Sequence, residues 1–177
     1  MHKFKKYYFI NKFNKSNIDN LENNTAIIYR NYKKKYHLEE IKKIKKYCKN
    51  RRIKFYLSND IKLSINLNLD GAYIPSFNKS YQHLSYKFRK DFELIGSAHN
   101  LGQIRIKEAQ KVNLIFLSSL FKKNKNYLGI YKFNNITKLT KKKFVALGGI
   151  SFENLKKLKL INCCGFSGIR YFSKKRP

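Results

Sequence analysis

The chain has 177 residues, of which 42% are hydrophobic, enough for one domain with a real core and short of what two domains need. Forty Lys and Arg against ten Asp and Glu give a formal net charge of +30, which favours anionic ligands and solubility. No stretch approaches the roughly 20 apolar residues that span a bilayer, and Tyr7-Tyr8-Phe9-Ile10 is too short for a signal-peptide core, so a soluble, cytoplasmic protein is expected.

In chain order, Tyr7-Tyr8-Phe9-Ile10 reads as a strand and Thr25-Ala26-Ile27-Ile28-Tyr29-Arg30 as a second. Residues 37–49 place Leu38, Ile41, Ile44, Tyr47 and Cys48 at helical spacing, with lysines on the outer face. Lys54-Phe55-Tyr56-Leu57-Ser58 is a third strand, residues 60–68 a short helix, and Gly71-Ala72-Tyr73-Ile74 a fourth strand stopped by Pro75. Residues 80–89 are ambiguous. Glu93-Leu94-Ile95-Gly96-Ser97-Ala98 is the fifth strand, and Asn100 can cap a helix to about residue 111. Residues 114–121 form an apolar sixth strand with both faces covered, followed by a polar loop over 122–127. Residues 143–147 make the seventh strand, ended by Gly148-Gly149. Ser151 then caps a helix through Ile161, and residues 166–172 make the eighth strand.

This alternation predicts a parallel sheet with crossover helices. Eight strands favour a single α/β domain over residues 1–177, a (β/α)8 TIM-type barrel, short and with some helices reduced. A doubly wound open sheet has the same local signature. Such barrels usually need more than about 200 residues, hence the reduced helices.

Barrel active sites gather at the C-terminal strand ends, which selects a short set of polar residues. Gly148-Gly149, between a buried strand and a capped helix, lets backbone N–H groups approach an anion. The alternative is a tight turn that needs glycine for positive φ and binds nothing. Arg170, placed on the eighth strand, either offers a charged fork to the same anion or points into solvent. Asn59-Asp60 offers a carboxylate for Mg2+ or a helix cap. His99 is an acid/base or phosphate-contacting candidate, or a hydrogen-bonded structural residue.

Cys48, Cys163 and Cys164 make no disulfide framework and no familiar metal spacing, so reduced thiols are expected. Runs such as Lys33-Lys34-Lys35 and Lys141-Lys142-Lys143 are scattered rather than gathered into an arm. With Asn, Ile, Tyr and Phe also abundant, AT-rich coding explains the lysines better than a nucleic-acid partner does.

Together these segments resemble the thiamine phosphate synthase/TenI family. Tyr8-Phe9-Ile10-Asn11 is similar to its opening Tyr-x-Ile-Thr/Asp, and Ile28-Tyr29-Arg30 stands where the family has Gln-Leu-Arg. Phe55-Tyr56-Leu57-Ser58-Asn59-Asp60 matches the strand ending in Asn-Asp. Leu69-Asp70-Gly71-Ala72-Tyr73-Ile74 resembles Ala-Asp-Gly-Val-His-Leu, and Ile95-Gly96-Ser97-Ala98-His99-Asn100 resembles the Gly-x-Ser-x-His segment. Phe144-Val145-Ala146-Leu147-Gly148-Gly149-Ile150 with Asn154 is close to Pro-Val-Val-Ala-Ile-Gly-Gly-Ile-x-x-x-Asn. The resemblance runs from about residue 7 to 172, in family order.

The resemblance implies an enzyme that joins a hydroxymethylpyrimidine pyrophosphate to a thiazole phosphate, releasing pyrophosphate with Mg2+. It implies Asp60 on the metal, Asn59 and Arg30 at the pyrophosphate, Ser97 near the reacting centre and Gly148-Gly149 around the thiazole phosphate. Small phosphate and pyrophosphate compounds are the implied partners, and homo-oligomerisation is left open. The chain also departs from the pattern. Tyr73 replaces a histidine, and Asn78 stands where a second metal carboxylate is usual. Ser118-Ser119-Leu120-Phe121 and the following lysines replace a threonine-bearing loop, leaving Lys123 or Lys125 for phosphate. Arg170 falls in the region of a phosphate-binding serine, and Ser119 stands where the TenI branch has a histidine. A barrel that binds a phosphate-bearing ligand without turnover is therefore the second reading, ahead of a basic nucleic-acid-binding module.

Overall fold

Alternation of inward and outward side chains along each short strand closes this sheet upon itself. The computed structural model describes residues 4–22, 24–32 and 38–173. Lys33, Lys34, Lys35 and His37 lie outside the described residues. Eight strands follow one another: β1 (Lys5–Ile10), β2 (Thr25–Tyr29), β3 (Phe55–Ser58), β4 (Gly71–Ile74), β5 (Glu93–Ala98), β6 (Leu114–Ser118), β7 (Lys143–Leu147) and β8 (Gly165–Ser167). Each pairs in parallel with the next. β8 returns to β1 through Lys5↔Gly165 and Lys6↔Phe166, which makes a closed barrel and excludes the open sheet.

Five crossovers carry α1 (Lys15–Asp19), α2 (Leu38–Asn50), α3 (Ile61–Asn66), α4 (Leu101–Ala109) and α5 (Gly129–Lys138), and α6 (Ile169–Ser173) follows β8. The two remaining connections hold only 3-10 turns, Gln82–Ser85 and Leu155–Leu160. The short barrel with reduced helices is thus the architecture observed. Asn100 caps α4 as expected, its Oδ1 accepting from the Gln103 N–H at 3.0 Å. Among the described residues no helix is long and apolar enough to cross a membrane. All three cysteines are free.

Three expected elements differ. The sixth strand ends at Ser118 instead of 121, because the Ser119 N–H turns to the Asn126 carbonyl and the Leu120 N–H to that of Leu147. The helix expected from Ser151 to Ile161 is the 3-10 turn Leu155–Leu160, since the Asn154 side chain, not Ser151, organises its start: Asn154 Oδ1 accepts from the Ser151 N–H and Nδ2 donates to the Gly149 carbonyl. The eighth strand stops at Ser167. Gly168 then passes so close to Ile150 that a Cβ there would lie 2.5 Å from its carbonyl oxygen, and the chain turns into α6. Arg170 is therefore an exposed helical residue rather than a strand residue. α1 and α5 were not anticipated.

Two apolar layers result. Tyr7, Phe9, Ala26, Ile28, Tyr56, Tyr73, Ile95, Leu114, Phe116 and Val145 fill the barrel, while alternate residues such as Tyr8, Ile27, Leu57, Ile115 and Phe144 pack outward under the helices. Phe116 is the hub inside, with its ring centroid 4.9 Å from Tyr7, 6.0 Å from Phe9 and 5.5 Å from Tyr73.

Carboxylates fasten the barrel to its loops. Glu40 on α2 accepts from the Tyr29 phenol and the Phe13 N–H, both at 2.7 Å. Asp70 accepts from the Phe55 N–H at 2.8 Å. Glu93 accepts from the Tyr56 phenol at 2.6 Å and pairs with Lys54 at 2.5 Å. Burial of Glu93 alone would raise its carboxyl, but the bonds from Lys54 and Tyr56 outweigh it and hold the group below its usual value.

Lys107 on α4 is fully buried, and its stem crosses the face of Gly96. Its ammonium donates to the Asn78 carbonyl and to Gln110 Oε1, both at 2.8 Å. Gln110 Nε2 donates to the carbonyls of Asn78 and Ser80, and the Gln110 carbonyl lies 2.9 Å from Nε2 of buried His83. This network clamps the loop after β4 against α4.

Truncating the hub, Phe116→Ala, is expected to cost about 3–5 kcal/mol, with Phe116→Leu costing markedly less, as read by urea denaturation midpoints. Burial lowers the Lys107 pKa from 10.5 to about 8. Between those values the unfolded chain holds more protons here than the folded one, so the Lys107 contribution to stability rises with pH. Wild type should therefore gain on Lys107→Met from about pH 7 to about pH 10, and an unchanging difference would contradict this assignment.

Candidate functional site at the C-terminal mouth

The loops after β6, β7 and β8 enclose a cavity of about 550 Å³, lined by Phe121, Lys122, Lys123, Leu147, Gly148, Gly149, Ser167 and Arg170 among others. Gly148 and Gly149 have φ of +98° and +78°, the left-handed region that favours glycine. They also lie against the neighbouring loop. A Cβ on Gly148 would sit 2.5 Å from Ser119 Oγ, and one on Gly149 2.5 Å from the Lys122 nitrogen. Phe121 and Lys122 donate their N–H groups to the Gly148 carbonyl, and Ser119 Oγ donates to the Lys122 carbonyl at 2.8 Å. Asn154 holds the Gly149 carbonyl from the other side. The Gly149 N–H has no acceptor among the described residues. A rigid loop with a free N–H, beside Lys122, Lys123 and Arg170, is suited to a phosphate group.

Ser167, buried at the end of β8, shares this wall. The sequence reading looked to Arg170 instead, having extended β8 to residue 172. A strand ending before Gly168 was the signal that would have found Ser167. Lys125 is exposed on the same loop and does not line the cavity.

Asn59, Asp60 and Asn78 line a second, smaller cavity of about 210 Å³. Asp60 is the N-cap of α3, its Oδ1 accepting from the Leu63 N–H at 2.9 Å. Asn59, with φ of +66°, turns its Oδ1 to Nδ2 of Asn78 at 2.7 Å, and Asn78 Oδ1 accepts from the Ser80 N–H at 2.9 Å. The described residues contain no cluster of three or more His, Cys, Asp or Glu that could hold a metal ion. One carboxylate at a strand end fits Mg2+ in its common manner, coordinated by a single carboxylate, water and the ligand's own phosphate oxygens. It does not fit a cage of protein ligands.

Arg30 lines a third cavity of about 270 Å³ with Asn11, Lys12 and Asn17, its guanidinium 4.7 Å from the centre of the Phe9 ring. Ser97 and His99 line none of these three cavities. Ser97 is buried close to the Tyr73 phenol. Burial pushes that phenol well above its ordinary pKa, an effect the Ser97 hydroxyl only partly offsets, so it stays neutral. His99 Nδ1 lies 3.0 Å from both the carbonyl and Oγ of Ser118, which ties β5 to the turn that supports Gly148.

The mouth therefore groups the predicted residues into separate neighbourhoods. Gly148, Gly149, Lys123 and Arg170 share one, Asn59, Asp60 and Asn78 another, and Arg30 stands apart. Aromatic side chains lie between them. Phe9 meets Tyr73 edge-on at 5.3 Å, Tyr32 meets Phe77 at 5.4 Å, and the Tyr32 and Ser58 hydroxyls lie 2.8 Å apart. Sequence patterning could not reveal this filling, because it names an aromatic residue without giving the direction of its ring.

The family described as thiamine monophosphate synthase matches residues 19–172. No curated protein matches the chain. Among solved structures, thiamine phosphate pyrophosphorylase from Pyrococcus furiosus superposes with a TM-score of 0.76 at 16% identity, over 99% of this chain and 93% of that one. The corresponding protein from Bacteroides thetaiotaomicron gives 0.62 at 12% identity, over 94% and 82%. The citrate synthase SbnG also reaches 0.70 at 9% identity, over 94% and 86%, so shape alone does not select a chemistry. The match over most of the sequence shows the family: the chain belongs to the thiamine monophosphate synthase family.

Proposed function

We propose that this barrel joins a hydroxymethylpyrimidine pyrophosphate to a thiazole phosphate and releases pyrophosphate. The double-glycine cavity carries the proposal. Its unpartnered Gly149 N–H, the Ser167 hydroxyl and the flanking cations form a phosphate seat at the strand ends where barrels gather their chemistry. Family membership supplies the reaction class.

The reaction requires a C–O bond to pyrophosphate to break while the thiazole nitrogen forms a C–N bond to the same carbon. The electron pair leaves with pyrophosphate, and no protein nucleophile is needed. Arg30, held over Phe9, is the residue proposed to meet the leaving pyrophosphate, with Asn59 beside it. Asp60 would hold Mg2+, which neutralises charge on that leaving group. The rings of Phe9 and Tyr73 stand where they can face a developing carbocation, a role suited to an electron-rich aromatic face. Seating the thiazole phosphate against Gly149 and Ser167 orients the attacking nitrogen.

A second reading, binding of the phosphate-bearing ligand without turnover, is favoured by one observation. The Asn78 amide already occupies Asn59 Oδ1, the group proposed for the pyrophosphate side.

Protein incubated with both substrates and Mg2+ should release pyrophosphate and form thiamine phosphate. Binding of thiazole phosphate by calorimetry with no product would leave only the second reading, and no binding would remove both. Ser167→Ala should weaken thiazole phosphate binding about fivefold through one lost hydrogen bond. Gly149→Ala, strained at positive φ and blocked by Lys122, should weaken it more, while Lys125→Gln should have little effect.

A further inference from the structure

A cavity of about 260 Å³ opens at the opposite, N-terminal end of the barrel, outside everything assigned above. Its lining includes Lys5, Tyr7, Ala26, Arg52, Lys54, Tyr56 and Glu93. Tyr7 belongs to the inner apolar layer and is only 3% exposed. Its phenol nevertheless has no hydrogen-bond partner among the described residues. The phenol oxygen is not among the fully buried unpaired atoms, so it is reachable from the cavity and free to donate to a molecule seated there. Burial, with the nearby Cys164 and Glu93, raises its pKa above the ordinary value, so the group is a neutral donor.

The charges around this cavity do not balance. Both Glu93 oxygens are engaged, by Lys54 and by the Tyr56 phenol. Lys6 is paired with Glu22. Among the described residues Lys5 and Arg52 have no carboxylate partner, and Arg52 is exposed with a φ of +55°. The Tyr7 and Tyr56 rings, with centroids 6.4 Å apart, and the small Ala26 side chain supply flat apolar walls. Thr25 Oγ1 and Asn24 Oδ1, on the same lining, are also without a partner among the described residues. A cavity with aromatic walls, the unpaired Tyr7 and Thr25 hydroxyls and surplus positive charge at its rim suits a planar molecule carrying an oxyanion.

We propose that the N-terminal cavity binds a small planar ring bearing a phosphate or carboxylate, with the Tyr7 phenol and the Lys5 and Arg52 cations holding the oxyanion. The site is independent of the phosphate seat at the opposite end of the barrel.

Phenyl phosphate titrated into the full chain and followed by amide chemical shifts tests this. Saturable shifts at Tyr7, Ala26 and Glu93 are expected, and they should persist in Gly149→Ala, whose defect lies at the other end. Tyr7→Phe keeps the ring and should weaken binding at these amides about fivefold. Arg52→Gln, a surface change that should leave folding intact, should also weaken it and decides the matter if Tyr7→Phe does not fold. Benzoate in place of phenyl phosphate distinguishes a carboxylate from a phosphate preference, and saturable binding of either at these amides supports the site. The proposal is overturned if shifts appear only around Gly148 and Gly149, or if Arg52→Gln binds as wild type.

Discussion

Packing inside the barrel governs the rest of this molecule. Eight strands of three to six residues can close only if their inward side chains fill the lumen, and here aromatic rings do most of that filling. Tyr7 and Phe9 from β1, Tyr56 from β3, Tyr73 from β4 and Phe116 from β6 meet around the axis, with small residues such as Ala26 and Gly71 beside them. The glycine is required by this arrangement, because a Cβ on Gly71 would lie 2.9 Å from the Tyr56 ring and 2.0 Å from the Glu93 carbonyl oxygen.

The same rings shape the C-terminal mouth. Phe9 and Tyr73, near the C-terminal ends of β1 and β4, meet edge-on, and the proposed phosphate seat at Gly148 and Gly149 lines a cavity separate from those of Arg30 and Asp60. For the proposed reaction this separation would hold the charged ends of two anionic substrates apart while their uncharged rings meet.

Much of the fold was legible because strand and helix periods differ and glycine marks the turns. β4, β5 and β7 have the bounds that their apolar runs predict, and Asn100 caps the helix it was expected to cap. The end of β8 was misread because residues 166–172 combine apolar and aromatic residues in a run too short to separate strand from helix by period. Close approach of Gly168 to Ile150, a tertiary contact, sets that boundary. In the site, the double glycine was legible as a turn that brings backbone near an anion. Whether Asp60 caps α3 or binds a metal could not be decided from spacing, since the same residue type serves both uses; its Oδ1 does cap α3 through the Leu63 N–H, and the metal role belongs to the proposed function. The N-terminal cavity left no trace in sequence, because it depends on which phenol lacks a partner.

The carboxylates that fasten the scaffold have a further consequence. Glu40, Asp60, Asp70 and Glu93 are each held by backbone N–H groups, phenols or a lysine in fixed places. A phosphate at the proposed Gly149 seat would therefore have no resident anion to displace, because among the described residues no carboxylate lines that cavity. Anions lodged in the framework and cations left on the rim produce a field whose sign is built in before any ligand arrives.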